Sequence, residues 1–226
     1  NFDCFVIPLA DAFRENFVNE LNELTSFVKK LKIPCYVIGV GLKESYEPDF
    51  SQPKPQDEAV KKFVTAVLEK SNCIGVRGEL TGKYLETLGF AEGRDFMVIG
   101  CPSMYMKGKR LHIQNPKLDV NSKVCFNSNV AASVPTRKFI KLKMKEFENH
   151  YFIGQVVNEL RSIYLGAPYE YKIEYNFRNV TDKIYQDGRL RFFCNVPKWM
   201  EFLNDSDLTF GSRLHGNIAA VLAGTP

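Results

Sequence analysis

The sequence predicts an α/β fold: a parallel, doubly wound sheet followed by a second β/α series. Three observations predict it. Short apolar runs, uniform enough to be covered on both faces, recur along the chain and alternate with amphipathic helical patterns. A polar stretch without clear period, residues 107–122, interrupts that alternation once. Near the C-terminal end a strand pattern runs through a glycine-bounded polar turn into a small, apolar helix pattern.

In order, Asp3-Cys4-Phe5-Val6-Ile7 reads as an opening strand. Phe13, Phe17, Leu21, Leu24, Val28 and Leu31 follow at steps of three and four, the spacing of one helix face. Residues 34–40 are the next strand, closed by Gly39-Val40-Gly41; Glu44 breaks the dinucleotide fingerprint that these glycines begin. A proline-rich loop at 51–56 leads to a second helix marked by Val60, Phe63, Val64, Val67 and Leu68, with Asp57 and Glu58 in its first turn. Residues 73–77 form a strand ending in Arg77. A helix over 79–88 closes at Gly89, and residues 96–100 are a further strand. Right-handed crossovers would put the carboxyl ends of these strands on one edge, Arg77 among them. A structural ion pair explains Arg77 as well as a ligand contact does.

The domain boundary falls in the stretch 107–122, giving an N-terminal domain 1–116 and a C-terminal domain 117–226. The second series opens with a strand at 123–127, whose polar end is Asn127-Ser128-Asn129. Residues 135–149 read as a helix with a basic face of Arg137, Lys138, Lys141, Lys143 and Lys145. That face reads first as solvated and second as a peripheral contact with an anionic membrane surface. A strand at 150–156 and a helix at 158–165 follow; residues 169–191 carry no assignable pattern. Then come a strand at 190–194, a helix at 196–203, the strand Asp207-Leu208-Thr209-Phe210 and a last helix at 217–223 stopped by Gly224. The bare opening strand and the few strands of the second series lead us to expect a chain truncated at both ends.

With 226 residues, 45% of them apolar, the chain can bury a sizeable core. Its net charge of +4 suits an anionic substrate without demanding nucleic acid. The six cysteines have no CxxC spacing and sit mostly in apolar runs, which reads as reduced, buried thiols in a cytoplasmic protein. Neither a metal-ligand spacing nor an apolar run of roughly 18 residues is seen. Asn179-Val180-Thr181 and Asn204-Asp205-Ser206 match the glycosylation sequon, which we read as chance unless the protein is secretory.

Gly211-Ser212-Arg213-Leu214-His215-Gly216 is the stretch with most chemistry. It sits where a strand passes into a helix, the position at which α/β sheets bind ligands and helix N-termini hold anions. Arg213 and His215 are two apart, so in a regular helix they would diverge. To serve one site, both must lie in the turn. A surface Arg and a capping His at an ordinary junction fit the spacing equally well.

Four motifs in order go further: Ile33-Pro34-Cys35-Tyr36-Val37-Ile38-Gly39-Val40-Gly41; Val76-Arg77-Gly78-Glu79-Leu80-Thr81; Ile99-Gly100-Cys101-Pro102-Ser103; and Ser212-Arg213-Leu214-His215-Gly216 with Ala223-Gly224-Thr225-Pro226. Together they resemble the polysaccharide pyruvyl transferase family. The resemblance implies a glycosyltransferase-B-like fold of two Rossmann-like domains. It also implies transfer of pyruvate from phosphoenolpyruvate to a sugar diol as a cyclic ketal, in exopolysaccharide, capsule or cell-wall glycan synthesis. It makes Arg213 the donor-binding arginine and His215 the catalytic residue, with Arg77 as a further substrate-binding residue; Asn127 and Ser212 join them as candidates. The implied partners are phosphoenolpyruvate and a saccharide acceptor, lipid-linked or free; no cofactor beyond the donor and no metal is expected.

The chemistry agrees with the residue types. A donor bearing both phosphate and carboxylate suits a planar arginine fork, and a ketal needs a group that moves protons both ways near neutral pH. Two other readings remain open at this point: a nucleotide-sugar glycosyltransferase or epimerase of the same fold, and a non-catalytic glycan-binding relative.

Overall fold

The computed structural model describes residues 2–45, 47–129, 132–165 and 183–226. Two compact units emerge, residues 1–105 and 106–226.

In the first unit four parallel strands lie in chain order: β1 (Phe5–Pro8), β2 (Cys35–Ile38), β3 (Ile74–Val76) and β4 (Phe96–Val98). β1 pairs with β2 and β3 with β4. The bridge between Val40 and Val76 joins the two pairs. Helices α1 (Val18–Lys30), α2 (Asp57–Leu68) and α3 (Glu79–Thr87) connect them, and α1 packs on α2. Strands that succeed one another in chain order have no reversal point. This sheet is therefore wound in one direction, where the sequence led us to expect double winding. Its core is one apolar cluster that includes Phe13, Leu21, Val37, Phe63, Tyr84 and Phe96.

Phe13 shows why the first helix is shorter than its spacing suggests. Its backbone pairs with the stretch after β2, donating to the Gly41 carbonyl (3.1 Å) and accepting from the Lys43 N–H (3.1 Å). It is fully buried by that pairing, and α1 starts only at Val18. The firmest glycine requirement in this unit is Gly39, whose φ of 71° is left-handed and where a Cβ would stand 2.5 Å from the ring of Pro102.

The second unit holds a four-stranded parallel sheet from β5 (Val124–Asn127), β6 (His150–Gly154), β7 (Leu190–Phe192) and β8 (Leu208–Gly211), in the order β7-β6-β5-β8. Here the winding does reverse: from β5 the chain runs outward through β6 to β7, then returns to the other side of β5 as β8. β5 is buried throughout, and its side chains alternate between two cores. Val124 and Phe126 meet Ile140 and Met144 of α4 (Val134–Met144). Cys125 meets Leu203 of α7 (Val196–Asn204) and Ala219 and Ala220 of α8 (Leu214–Ala223).

α4 ends at Met144, five residues before the helix read from the sequence does. Glu148 already donates its backbone N–H to the Val120 carbonyl (2.7 Å), and the Asn149 carbonyl accepts from Val124 (3.1 Å). Its start is fixed by Ser133, whose hydroxyl accepts the Thr136 N–H. α5 (Val157–Leu165) and the short α6 (Lys183–Gln186) complete the unit. The stretch 169–191 falls in part outside the described residues, and the sequon at Asn179 wholly so. At the second sequon the Asn204 amide donates to the Ala223 carbonyl at 2.6 Å. No helix among the described residues is long and apolar enough to cross a membrane.

The cysteines are free, but fewer are buried than their apolar runs suggest. Cys35 and Cys125 are fully buried, Cys73 and Cys101 half-buried, and Cys4 and Cys194 exposed. The last two lie outside β1 and β7, which are shorter than the apolar runs that contain them.

Candidate functional site

The reversal in the second sheet lies between β5 and β8. Their carboxyl ends are in register there, Asn127 opposite Gly211. Strands splay into opposite crossovers at such a point, leaving a crevice where α/β sheets take ligands. The motif read from the sequence therefore occupies the one position in this unit that its topology favours for binding.

Asn127 organises the crevice. Continuing the alternation of β5, its side chain lies on the α8 face and is 2% exposed. Its Oδ1 accepts the backbone N–H of Arg213 at 2.8 Å, and its Nδ2 donates to Asn217 Oδ1 at 3.0 Å. Asn217 Nδ2 donates in turn to the Gly211 carbonyl at 3.1 Å. This chain of amides locks both ends of the β8–α8 turn and leaves no room for side chains. A Cβ on Gly211 would stand 2.2 Å from the Asn127 main-chain carbonyl oxygen, and one on Gly216 would stand 2.9 Å from Asn127 Nδ2. Ser212 Oγ accepts the Asn129 N–H at 3.0 Å, tying the same turn to the loop after β5.

Arg213 is the N-cap of α8, with extended backbone (φ −95°, ψ 114°) and no side-chain cap of the helix. That is a poor choice for stability. Asn, Asp, Ser or Thr would satisfy a free N–H here, whereas a cation faces the positive end of the helix dipole, a conflict of about 0.3–1 kcal/mol. Its Nη1 is also buried and has no hydrogen-bond partner. A charged donor without an acceptor, beside the free N–H groups of Leu214, His215 and Gly216, is an arrangement that an anion completes.

His215 is the second residue of α8 and is exposed. The helix begins three residues earlier than the sequence pattern suggests, so only Arg213 lies in the turn, and His215 is not a cap. Its ring makes no hydrogen bond or ion pair with a described residue, so both nitrogens are open to a ligand.

Arg77 belongs to the first unit. Its Nε donates to the Gly39 carbonyl at 3.0 Å and its Nη2 to the Leu9 carbonyl at 3.3 Å, fastening the carboxyl ends of β1 and β2 to β3. It also stands close enough to Cys101 for its charge to favour the thiolate. Two residues that sequence reasoning passed over belong with the Arg213 turn. Asn217 looked like part of an apolar helix. Gln155 looked like the tail of a strand, yet it lies just past the carboxyl end of β6, as Asn127 lies at the carboxyl end of β5. Both polar atoms of its amide are buried without a partner against Gly216. The signal available was a polar residue at the carboxyl end of an apolar strand. Among the described residues no three His, Cys, Asp or Glu side chains come together to hold a metal ion.

Comparison with known proteins gives one match. The family model described as polysaccharide pyruvyl transferase matches residues 5–226, nearly the whole chain. No curated protein and no solved structure matches.

Proposed function

The chain belongs to the polysaccharide pyruvyl transferase family, and from that premise we propose that it moves a pyruvyl group from phosphoenolpyruvate onto two hydroxyls of a sugar, forming a cyclic ketal. The observation that carries this reading is the unpartnered guanidinium of Arg213 at the uncapped N-terminus of α8. The donor offers a phosphate and a carboxylate, and a guanidinium fork beside free backbone N–H groups suits either. Arg213 holds the donor, with Ser212 and the α8 N–H groups beside it. Asn127 sets the backbone that aims the fork, and Gln155 offers a free amide at the same edge.

In this reaction the methylene carbon of the donor gains a proton, and the former enol carbon gains two C–O bonds to the sugar. The C–O bond to phosphate breaks. One hydroxyl proton ends on the methyl group; the other leaves with hydrogen phosphate. His215 is the group that moves protons, since an imidazole can accept and donate near neutral pH. A glycosyltransferase-B-like fold of two Rossmann-like domains, a cytoplasmic setting, and a role in exopolysaccharide, capsule or cell-wall glycan synthesis belong to the same reading. So does a lipid-linked acceptor met at an anionic membrane surface. The outer face of α4 supports that contact, exposing Val134 and Leu142 next to Lys138 and Lys141.

Thermal melting tests the donor. Saturating phosphoenolpyruvate should raise the melting temperature, by up to about 2.7 kcal/mol of added stability at a hundred times Kd, whereas a uridine diphosphate sugar should not. The reverse pattern would transfer the chain to nucleotide-sugar chemistry. Release of phosphate from phosphoenolpyruvate that depends on added saccharide then tests the transfer.

A further inference from the structure

At the opposite edge of the second sheet, where the strands begin, there is a pocket of about 510 Å³. That volume is in the range of small-molecule sites, roughly 300–1,000 Å³. Its floor is apolar: Met144 and Ile184 are buried, and Phe147 is half-buried beside them. Its walls are charged and unequal. Lys141 and Lys145 come from the end of α4, Lys183 from α6, and Arg189 from the residue before β7, against only Glu148 and Asp187. The three lysines and two carboxylates make no ion pair with a described residue.

His150 opens β6 and lines the same pocket. Its Nδ1 lies 2.7 Å from the Phe147 carbonyl. A carbonyl only accepts, so Nδ1 carries the proton, and in the neutral ring Nε2 is left as an acceptor. The pocket thus combines a cationic wall, three acceptors able to take hydroxyl protons, and a ring face to lie against. A bare anion would use the first of these alone. A lipid headgroup layer would gain nothing from the two carboxylates.

We infer that this pocket binds an anionic saccharide, its phosphate or carboxylate against the lysines and Arg189, its hydroxyls on Glu148, Asp187 and His150, and its ring on Phe147 and Met144. The site is separate from the Arg213 turn, because parallel strands put the two at opposite ends of the sheet. It goes beyond the transfer reaction: it would let an acidic glycan, substrate or product, be held away from the place of chemistry.

Calorimetric titration of the full chain tests this, in an Arg213→Ala background so that the other edge contributes nothing. The probes are glucose 1-phosphate, glucuronate, glucose and inorganic phosphate. At least one of the first two should bind about tenfold or more tightly than both glucose and inorganic phosphate, the scale of one charge-assisted hydrogen bond. Lys145→Glu should weaken that binding by a similar factor. Lys183→Glu serves the same purpose should the first variant not fold. Absence of anionic-saccharide binding overturns the inference, as does affinity no better than that for inorganic phosphate. So does binding that folded Lys145→Glu and Lys183→Glu leave unchanged. Sedimentation with phosphatidylglycerol vesicles, lost in Lys145→Glu and without saccharide binding, would overturn it in favour of a membrane surface.

Discussion

Asn127 holds Arg213 from 86 residues away: the amide oxygen of the first accepts the main-chain N–H of the second at 2.8 Å. A residue that the sequence offered as a substrate contact is thus committed by its side chain to the turn that carries the arginine. Its remaining amide group goes to Asn217. The strand pairing of β5 with β8 makes the contact short, and the burial of Asn127 makes it stable.

Asn127→Ala should therefore act on stability first. It removes two hydrogen bonds and leaves the Arg213 N–H and the Asn217 side-chain carbonyl without their partner in a half-buried setting, at about 1 kcal/mol for each such group, the low end of the cost of an unsatisfied buried group. Urea unfolding should show a lower midpoint with unchanged slope. A variant as stable as the parent would mean that the amide chain does not hold the turn.

Gly211→Ala tests the crowding in the same turn. In an open setting the change costs little. Here the new methyl would sit 2.2 Å from a backbone oxygen of β5, which cannot swing away as a side chain can. The strands must separate, so we expect a loss of about 1–3 kcal/mol, the cost of overpacking. Chemical denaturation reads it directly; a neutral or stabilising result would show that β5 and β8 are less closely paired at their ends.

Much of this arrangement was legible in the sequence because it rests on local signals. The β5 and β8 runs are apolar, glycines bracket the turn, and the basic and polar residues at strand ends stand out. What was not legible depends on pairings between distant residues. Nothing local says that β8 returns beside β5, so the partnership of Asn127 with Arg213 and Asn217 could not be read. The spacing of Phe13 matched a helix because burial is what periodicity reports, and Phe13 is buried by a bridge to Leu42 instead. The start of α8 was misplaced because the helix begins at a residue that caps badly. Capping rules place helix ends by stability, and Arg213 violates them. The winding of the first sheet depends on neighbour order alone, which alternation of strands and helices does not specify.

The thiols make a prediction about reactivity with pH. Burial raises Cys101, but hydrogen bonds from Ser103, the charge of Arg77 and the Met104 N–H more than offset it, and the thiol ionises below its ordinary range. Burial raises Cys73, and Asp95 raises it further. Burial likewise raises Cys35 and pushes Cys125 up to about 11. A lowered pKa means more thiolate at a given pH, so between about pH 7 and 8.5 Cys101 should be alkylated faster than the equally half-buried Cys73. Cys125 should stay unmodified until the protein unfolds. Peptide mass spectrometry after timed iodoacetamide treatment resolves each site. Ser103→Ala should narrow the gap, and equal rates in the parent would remove the argument.

Arg213 and His215 are assigned different work, and two variants separate it. Arg213→Lys keeps the charge and loses the fork, so donor affinity should drop by about 1.5–3 kcal/mol while the fold persists. Unchanged donor binding would show that the unpartnered Nη1 serves something else. His215 is exposed, is not the cap of α8, and has no partner among the described residues, so His215→Ala removes nothing that holds the fold together. Its melting temperature should stay close to that of the parent. As a general acid and base it should nonetheless carry roughly 10²–10⁴ of the rate, seen in turnover with little change in donor affinity. The measurement pairs a phosphoenolpyruvate titration with acceptor-dependent phosphate release on the same sample. Near-normal turnover would leave the proton transfers without their carrier and return His215 to the surface of an ordinary helix. Lost donor binding with intact folding would make it a ligand contact instead. A fall in turnover alone is the result that the exposed, unpartnered ring leads us to expect.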